Sequence, residues 1–510
     1  VVEAVSLPQS IEKGRGMTST IVYLGIDQGS SSTKGVLVDD SGTTLTEFVV
    51  AVPPRLENDR EVEQDPEGLL SSVVEIFLKA KQWAPQHQYE IAAAGIAVQR
   101  SGVLAWRAHD GTVVHPMITW ADTRTYPIIQ DLGKATERIS ELTGLPTLPN
   151  FAAGKIHLLQ MQHLEPSIKV GTLDSFLLYR LSARERFITE DTMAARTMVY
   201  GLKDSSWNER LCRDFRVDRK RLATIVPSLH RHTVFEGISM TALLGDQQAA
   251  VLGHGRHEGH ALLNLGTIAS LLKATGSEII QKTGLMTSVL YSREVPGSGD
   301  RTSQYLIETT SPVTGNVSME PVRRGWCNDS TTMNSMCNES FATNPAGIAI
   351  AYFVHHRPHP PYFPASTPNV LVARPEATIA DRTRAIVENV GNLVIRMIEE
   401  FSDKGILESS SEIFTAGGGS ELDFLLRYIS DVSGRTVHRL AMREATARGA
   451  AFAARASLLG FEEPYGPAPE EVVTTYQPTN PDRRRRYLQW QRLEQDVLNN
   501  RLPAHAEVET

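Results

Sequence analysis

The chain has 510 residues, 41% hydrophobic and 22% charged, with a formal net charge of −8. That length is too great for one ordinary hydrophobic core and predicts two large domains with a cleft between them. The charge balance excludes a general attraction to nucleic acid, and no uncharged apolar run is long enough to cross a bilayer.

Three cysteines, Cys212, Cys327 and Cys337, form an odd count without C-x-x-C spacing. Neither a disulfide framework nor a zinc site is therefore expected, and a reducing cytoplasm fits best. The first sixteen residues lack an apolar segment of signal-peptide length, and Met17 stands just before the first strand-like run. From Ile21 to Asp40 the pattern reads strand, Gly/Ser turn, strand: a hairpin with a polar tip. Leu69, Leu70, Val73, Val74, Ile76 and Phe77 give helical periodicity to Pro66–Trp83, and Ile91–Val98 reads as a strand. Leu262–Ala274 repeats the hairpin pattern around a Gly-Thr tip.

Further on, Ile386 to Phe401 traces one helix face, and Ile413–Thr415 is a short strand. Gly417, Gly418 and Gly419 form a turn, and Leu422–Val432 is a helix stopped near Gly434. Glu444–Leu459 predicts an Ala-rich helix in which Gly449 allows close packing. Ser311–Pro368 resists periodic reading and is expected to be a surface insertion or a lid. The basic run Arg483–Arg486 reads as a solvated helix face, and His355, His356 and His359 as a solvated loop.

The first hairpin tip, Asp27-Gln28-Gly29-Ser30-Ser31-Ser32-Thr33-Lys34, offers several backbone N–H groups and hydroxyls to one point. A triphosphate needs that, and Asp27 at the strand end is placed to hold a hydrated Mg²⁺. Taken alone, the segment equally fits an ordinary turn, and it is not a Walker loop. In Gly245-Asp246-Gln247-Gln248, a carboxylate at a strand end can accept a hydroxyl proton or can cap the following helix, or both. Gly266-Thr267 could meet phosphates from the opposite wall, and Gly417–Gly419 could let a nucleotide approach the backbone. Gln99-Arg100 and Trp120-Ala121-Asp122-Thr123-Arg124 follow strands and suit a polyol, since a guanidinium donates to hydroxyls and an aromatic face covers C–H groups. A surface ion pair and a core tryptophan remain the alternatives.

These segments, in this order, resemble the FGGY carbohydrate kinase family, and within it the glycerol kinases. GIDQGSSSTKGVLVDDSG, AVQRSG, MITWADTRT, TGLPTLPNFAAGKIHLLQ, VGTLDSFLLYRLS, ITEDTMAARTMVYGL, LLGDQQAAVLGHG, NLGTIASLLKATG, TAGGGSELDFLLRYISDVSGRTVHRL and EATARGAAFAA carry the likeness. It implies an α/β fold of two RNase H/actin-like domains with Mg-ATP and a small sugar or polyol meeting in the cleft. The implied layout is an extension (1–16), an N-terminal domain on the substrate and phosphate side (17–256), a C-terminal domain on the nucleotide side (257–465) and a tail helix (466–510). Carried over residue by residue, the resemblance implies Asp246 as general base and Asp27 as the metal-organising carboxylate. Ser30, Ser31, Ser32, Lys34, Gly266, Thr267, Gly315, Gly417, Gly418 and Gly419 become ATP contacts. Gln99, Arg100, Ser101, Trp120, Asn150, Asp246, Gln247 and Ser270 become the substrate site. No nucleic-acid or membrane partner is implied, and a homodimer is compatible with the reading.

The departures bear on the substrate. Where glycerol kinases have Gln-Arg-Glu, this chain has Gln99-Arg100-Ser101; a tyrosine of the glycerol site corresponds to Asn150 and a phenylalanine to Ser270. Losing a charged acceptor and two aromatic walls predicts a roomier pocket and a longer polyol or a ketose instead of glycerol. Pro361-Tyr362-Phe363 and Thr310–Met336 depart from the family pattern, which leaves a catalytically weak sugar-binding or regulatory protein as the alternative.

Overall fold

The computed structural model describes residues 20–509 apart from 59, 256–258, 267, 296, 312–317, 354–367, 442–443, 461–462, 467–471 and 502–505. The histidines at 355, 356 and 359, together with Thr267, Gly315 and the Pro361-Tyr362-Phe363 triplet, lie outside the described residues.

Tyr23 points to one face of its strand and Val22, Leu24 and Ile26 to the other, the alternation that a strand's twofold side-chain period dictates. Both faces are buried, so the strand reads as a nearly continuous apolar run. This strand, Thr20–Gln28, pairs antiparallel with Ser32–Asp39, which pairs antiparallel with Thr44–Ala51. On its other side lie Tyr89–Val98 and then Ile238–Gly245, both parallel.

The same plan recurs later in the chain. Ala261–Leu265 pairs antiparallel with Ala269–Gly276, which pairs antiparallel with Arg301–Ser311. Parallel to Ala261–Leu265 come Ile413–Ala416 and then Val437–Leu440. The second hairpin is thus the structural repeat of the first. The two units join into one 13-stranded sheet through Leu229–Phe235 and Met286–Glu294, paired in parallel at Leu229 and Arg293. Two repeated α/β units of this kind form the two-domain actin-like fold.

Helices cover the sheet. Pro66–Gln86 begins at Asp65, whose side chain accepts from the Glu67 and Gly68 N–H groups, with proline at the first helical position. Its buried Leu69, Val73, Ile76 and Phe77 pack with Val22, Leu24 and Ile26. Ile379–Asp403 starts in a capping box of Thr378 and Asp381 and fills the second core with Ile386, Val390 and Leu393. Asp423–Ser433 stops at Gly434, where φ is +69°. None of these helices is long and apolar enough to cross a membrane among the described residues.

Ala445–Leu459 belongs to the later part of the chain but lies against strands of the earlier unit, packed on Tyr23, Val36 and Val38. Its backbone touches theirs: a Cβ on Gly25 would fall 1.8 Å from the Ala447 carbonyl oxygen, and one on Gly95 2.0 Å from that of Ala450. Where this helix crosses Asp246–Gly253, a Cβ on Gly449 would fall 1.8 Å from the Ala249 oxygen, and one on Gly253 1.8 Å from the Ala445 oxygen. No L side chain fits at either position.

Two expectations fail. Ser311–Pro368 is not a surface insertion over the part described. Ser330–Thr343 is a helix that buries Met333, Cys337 and Ser340, and Ala349–Tyr352 is a strand paired with Asn369–Ala373 inside the second core. The basic run is not a solvated face. In the helix Arg483–Leu498, Arg483 and Arg486 are 4% and 7% exposed. Arg483 lies over the rings of Phe341 and Phe424 and pairs with Asp431, and Arg486 donates to Glu388. Only Arg484 and Arg485 face outward.

Candidate active site

The ends of the first strands of both units and the turns after them line one cavity of about 290 Å³. Asp27 and Ser30 border it from the first hairpin, and Gly266 and Ser270 from the second. Gln99, Arg100, Ser101, Trp120, Asn150, Asp246 and Gln247 join them in the polar wall, as do Arg196, Asn264, Thr310 and Thr446, with Phe151, Ile268 and Met286 among the apolar parts. Residues spread over more than 200 positions of sequence therefore meet in one place.

Asp246 opens the helix Asp246–Gly253 directly after the strand Ile238–Gly245, and its Oδ1 accepts from the Gln247 N–H at 2.7 Å. It thus serves the helix N-terminus while facing the cavity. Arg100 Nε lies 3.0 Å from Asp246 Oδ1. Gly245 makes room for that arginine, because a Cβ there would sit 2.8 Å from Arg100 Cδ. Burial raises the Asp246 carboxyl above the ordinary carboxylate range, while the Arg100 charge pulls it back. A base with a raised pKa is better matched to accepting a hydroxyl proton near neutral pH.

On the same wall, Asp27 is the penultimate residue of the first strand, which flanks Tyr89–Val98 on the side away from Ile238–Gly245. Burial, then the negative charge of Asp246, pushes its carboxyl to about 7, with Lys34 opposing. Two carboxylates that disfavour each other's charge are a donor set that a divalent cation would relieve. No cluster of three or more His, Cys, Asp or Glu side chains suited to a metal occurs among the described residues. A metal here would draw its remaining ligands from water and phosphate oxygens, as Mg²⁺ commonly does.

The structure apportions the other sequence-predicted residues unevenly. Lys34 is held by Glu444 at 2.7 Å, which gives its ammonium a protein partner. Ser31 follows Ser30 in the turn and Ser32 opens the next strand, and neither is among the cavity-lining residues. Gly417–Gly419 stand behind the second hairpin: a Cβ on Gly417, whose φ is +86°, would meet the Leu265 carbonyl oxygen at 2.7 Å, whereas one on Gly418 would meet nothing within 4 Å. Gly418 therefore leaves open space for a ligand to approach.

On the wall opposite, Gln99 Nε2 faces Gln28 and Gln64 at 3.3 Å each, and its own buried Oε1 has no protein partner. Asn150 donates to the Trp120 carbonyl oxygen at 3.1 Å and likewise keeps its Oδ1 unpartnered. Unmet buried acceptors on a cavity wall are what ligand hydroxyls satisfy. Ser101 has φ +64°, an uncommon backbone state for a residue other than glycine. Its carbonyl and that of Asn150 both accept from Lys155 Nζ, at 3.1 and 2.7 Å. Burial lowers the Lys155 ammonium to about 7, with Asp122 pulling the other way.

Sequence reasoning missed Lys155, Arg196 and Glu308. Arg100 does not end in open cavity: besides Asp246 it reaches Glu308, with Nη1 to Oε1 at 3.1 Å and Nη2 to Oε2 at 3.3 Å. Arg196 donates to the same Oε1. Burial would raise Glu308, but Arg100 and Arg196 override it and hold the carboxyl below its ordinary value. The available signal was a lone glutamate inside the strand-like QYLIETTS, where an unpaired charge could not be buried.

Comparison with known proteins places most of the chain. Residues 22–253 match the model of the FGGY family of carbohydrate kinases, N-terminal domain, and residues 261–458 match that of the C-terminal domain. Glycerol kinase of a Nostoc species is 27% identical over 465 residues, covering 88% of this chain and 92% of that protein. Glycerol kinase of Nocardia farcinica is 28% identical over 500 residues, covering 90% and 95%. Among solved structures, Plasmodium falciparum glycerol kinase with ADP has a TM-score of 0.79 at 19% identity, covering 94% of this chain and 98% of that one. Gluconate kinase from Lactobacillus acidophilus also scores 0.79, at 18% identity over 96% and 99%. The chain belongs to the FGGY family of carbohydrate kinases.

Proposed function

We propose that this FGGY carbohydrate kinase transfers the γ-phosphoryl group of Mg-ATP to a hydroxyl of a polyol or sugar longer than glycerol. The observation that carries the reading is Asp246, facing the cavity with a raised pKa, fixed between its helix N-terminus and Arg100. Asp246 takes the proton of the attacking hydroxyl, and Arg100 steadies the resulting site. Asp27 would hold Mg²⁺ through water, where the ion supplies charge neutralisation for the phosphates. Ser30, Gly266 and Gly418 leave backbone and hydroxyl groups for the nucleotide, with 17–256 as the substrate and phosphate side and 257–465 as the nucleotide side.

Ser101, Asn150 and Ser270 favour the longer substrate. None carries a charge or a large ring, and Asn150 and Gln99 keep acceptors that additional hydroxyls would meet. A coupled ADP-release assay with Mg-ATP against glycerol, tetritols, pentitols and ketopentoses tests both points, with Asp246→Asn as control. One strong substrate longer than glycerol, lost in the variant, is expected. Glycerol as best substrate would overturn the length assignment, and turnover retained in Asp246→Asn would overturn the base.

A further inference from the structure

Glu308 lies on the strand Arg301–Ser311, within the part of the chain matched by the C-terminal family model. Arg100, Arg196 and Asp246 all lie within the part matched by the N-terminal model. Glu308 is wholly buried, so its charge persists only where cations hold it. It grips the terminal fork of Arg100 with both oxygens, at 3.1 and 3.3 Å, a geometry that fixes the guanidinium plane. With the fork held, Arg100 Nε is the group left to meet Asp246, at 3.0 Å.

Arg196 braces the other side of Glu308. It donates to Oε1 and stacks on Phe151, with its guanidinium carbon 4.8 Å from the ring centroid. The charged groups around Asp246 are then Arg100, Arg196, Glu308 and Asp27: two cations, and with Asp246 itself three carboxylates, of which Asp27 is assigned to the metal. The rest balance as two arginines against Glu308 and Asp246. Removing the Glu308 charge would leave both guanidiniums competing for Asp246 alone.

From this arrangement, and resting on the kinase reading above, we propose that Glu308 is a positioning residue for phosphoryl transfer. Reaching across from the other unit, it seats Arg100 against Asp246, with Arg196 as its brace. The base is therefore set only when the two units are in register, because a shift of about 1 Å would break both bonds to the Arg100 fork. Substrate and nucleotide need not touch Glu308 for it to control the rate.

The test uses the full chain and two readouts. The first is the ¹⁵N-resolved Arg100 Nε–H resonance, identified by its loss in Arg100→Lys, whose exchange with water reports whether the group is seated on a carboxylate. The second is steady-state kinetics with the best substrate of the panel, alongside ADP binding. In Glu308→Gln, which keeps the shape, exchange of Arg100 Nε–H should accelerate. The same variant should lower kcat by about 10²-fold while ADP affinity stays within about twofold. Arg196→Lys, which keeps a cation, should retain most of both. Unchanged Nε–H exchange and unchanged kcat in Glu308→Gln would overturn the proposal, as would a loss shared equally by ADP binding. Absence of turnover in the wild-type chain would count against the kinase reading alone, since Nε–H exchange still decides the seating of Arg100.

Discussion

The two ends of the cleft are built by opposite means. Around Asp246 the wall is dense with directed charge, Arg100 and Arg196 being locked to Asp246 and Glu308 at short distances. Beside the second hairpin the wall is barer: it carries no charge, only Gly266 and the short polar side chains of Asn264, Ser270 and Thr310, and behind that hairpin Gly418 faces open space. On the proposed function, the difference separates where chemistry is built from where access is built. A reacting hydroxyl needs a proton acceptor in one place, whereas a nucleotide needs donors and room for close approach.

The largest effect should come from breaking the charged end. Asp246→Asn is expected to lower kcat by about 10²–10⁴-fold with ADP binding retained, measured by ADP release and by calorimetry. At the bare end, Gly417→Ala forces a left-handed backbone state and a contact with the Leu265 carbonyl, and should cost about 1–3 kcal/mol of stability. ADP affinity should fall with it. A variant as stable as the wild type in urea unfolding would show that the turn can relax.

A subtler difference is pH. Folding raises the Asp27 carboxyl from 3.8 to about 7. Between those values the folded chain binds more protons than the unfolded one, so this group's contribution to stability is present at low pH and declines as pH rises through the window. In EDTA, Asp27→Asn should therefore gain stability relative to the wild type between pH 5 and pH 7.5, followed by urea unfolding at each pH. Parallel trends would contradict the burial assigned to Asp27. Smallest should be Gly418→Ala, where the added methyl meets nothing, so stability should hold within about 0.5 kcal/mol. Any loss of ADP affinity in that variant would place the ligand against Gly418, and no loss would place it elsewhere.

Much of this molecule was legible in its sequence because each unit is local. The two hairpins, the helix after Asp65 and the glycine stop at Gly434 follow from period and turn chemistry within short windows. The charged cluster was not, since Arg100 and Glu308 are 208 positions apart and their pairing belongs to the tertiary fold. Ser330–Thr343 escaped because only Met333, Cys337 and Ser340 are fully buried, with Met336 and Phe341 partly so, a stripe too narrow and too polar to stand out. The Arg483–Arg486 run misled for a different reason. Charge suggested water, but Arg483, Arg486, Tyr487 and Trp490 recur at helical spacing on one buried face, and long arginine stems pack there once Asp431 and Glu388 accept their heads.

The helix carrying Asp246 is only eight residues long, and its far end is Gly253. There it meets Gly449 of Ala445–Leu459, main chain against main chain, with no side chain between them. Two positions without a functional group thus act as the bearing surface on which the carboxylate proposed as the base is mounted. A methyl introduced at either would work as a shim, lifting one helix off the other and tilting Asp246 at the opposite end, so the tolerance of the reaction is machined into the two residues that have nothing to react with.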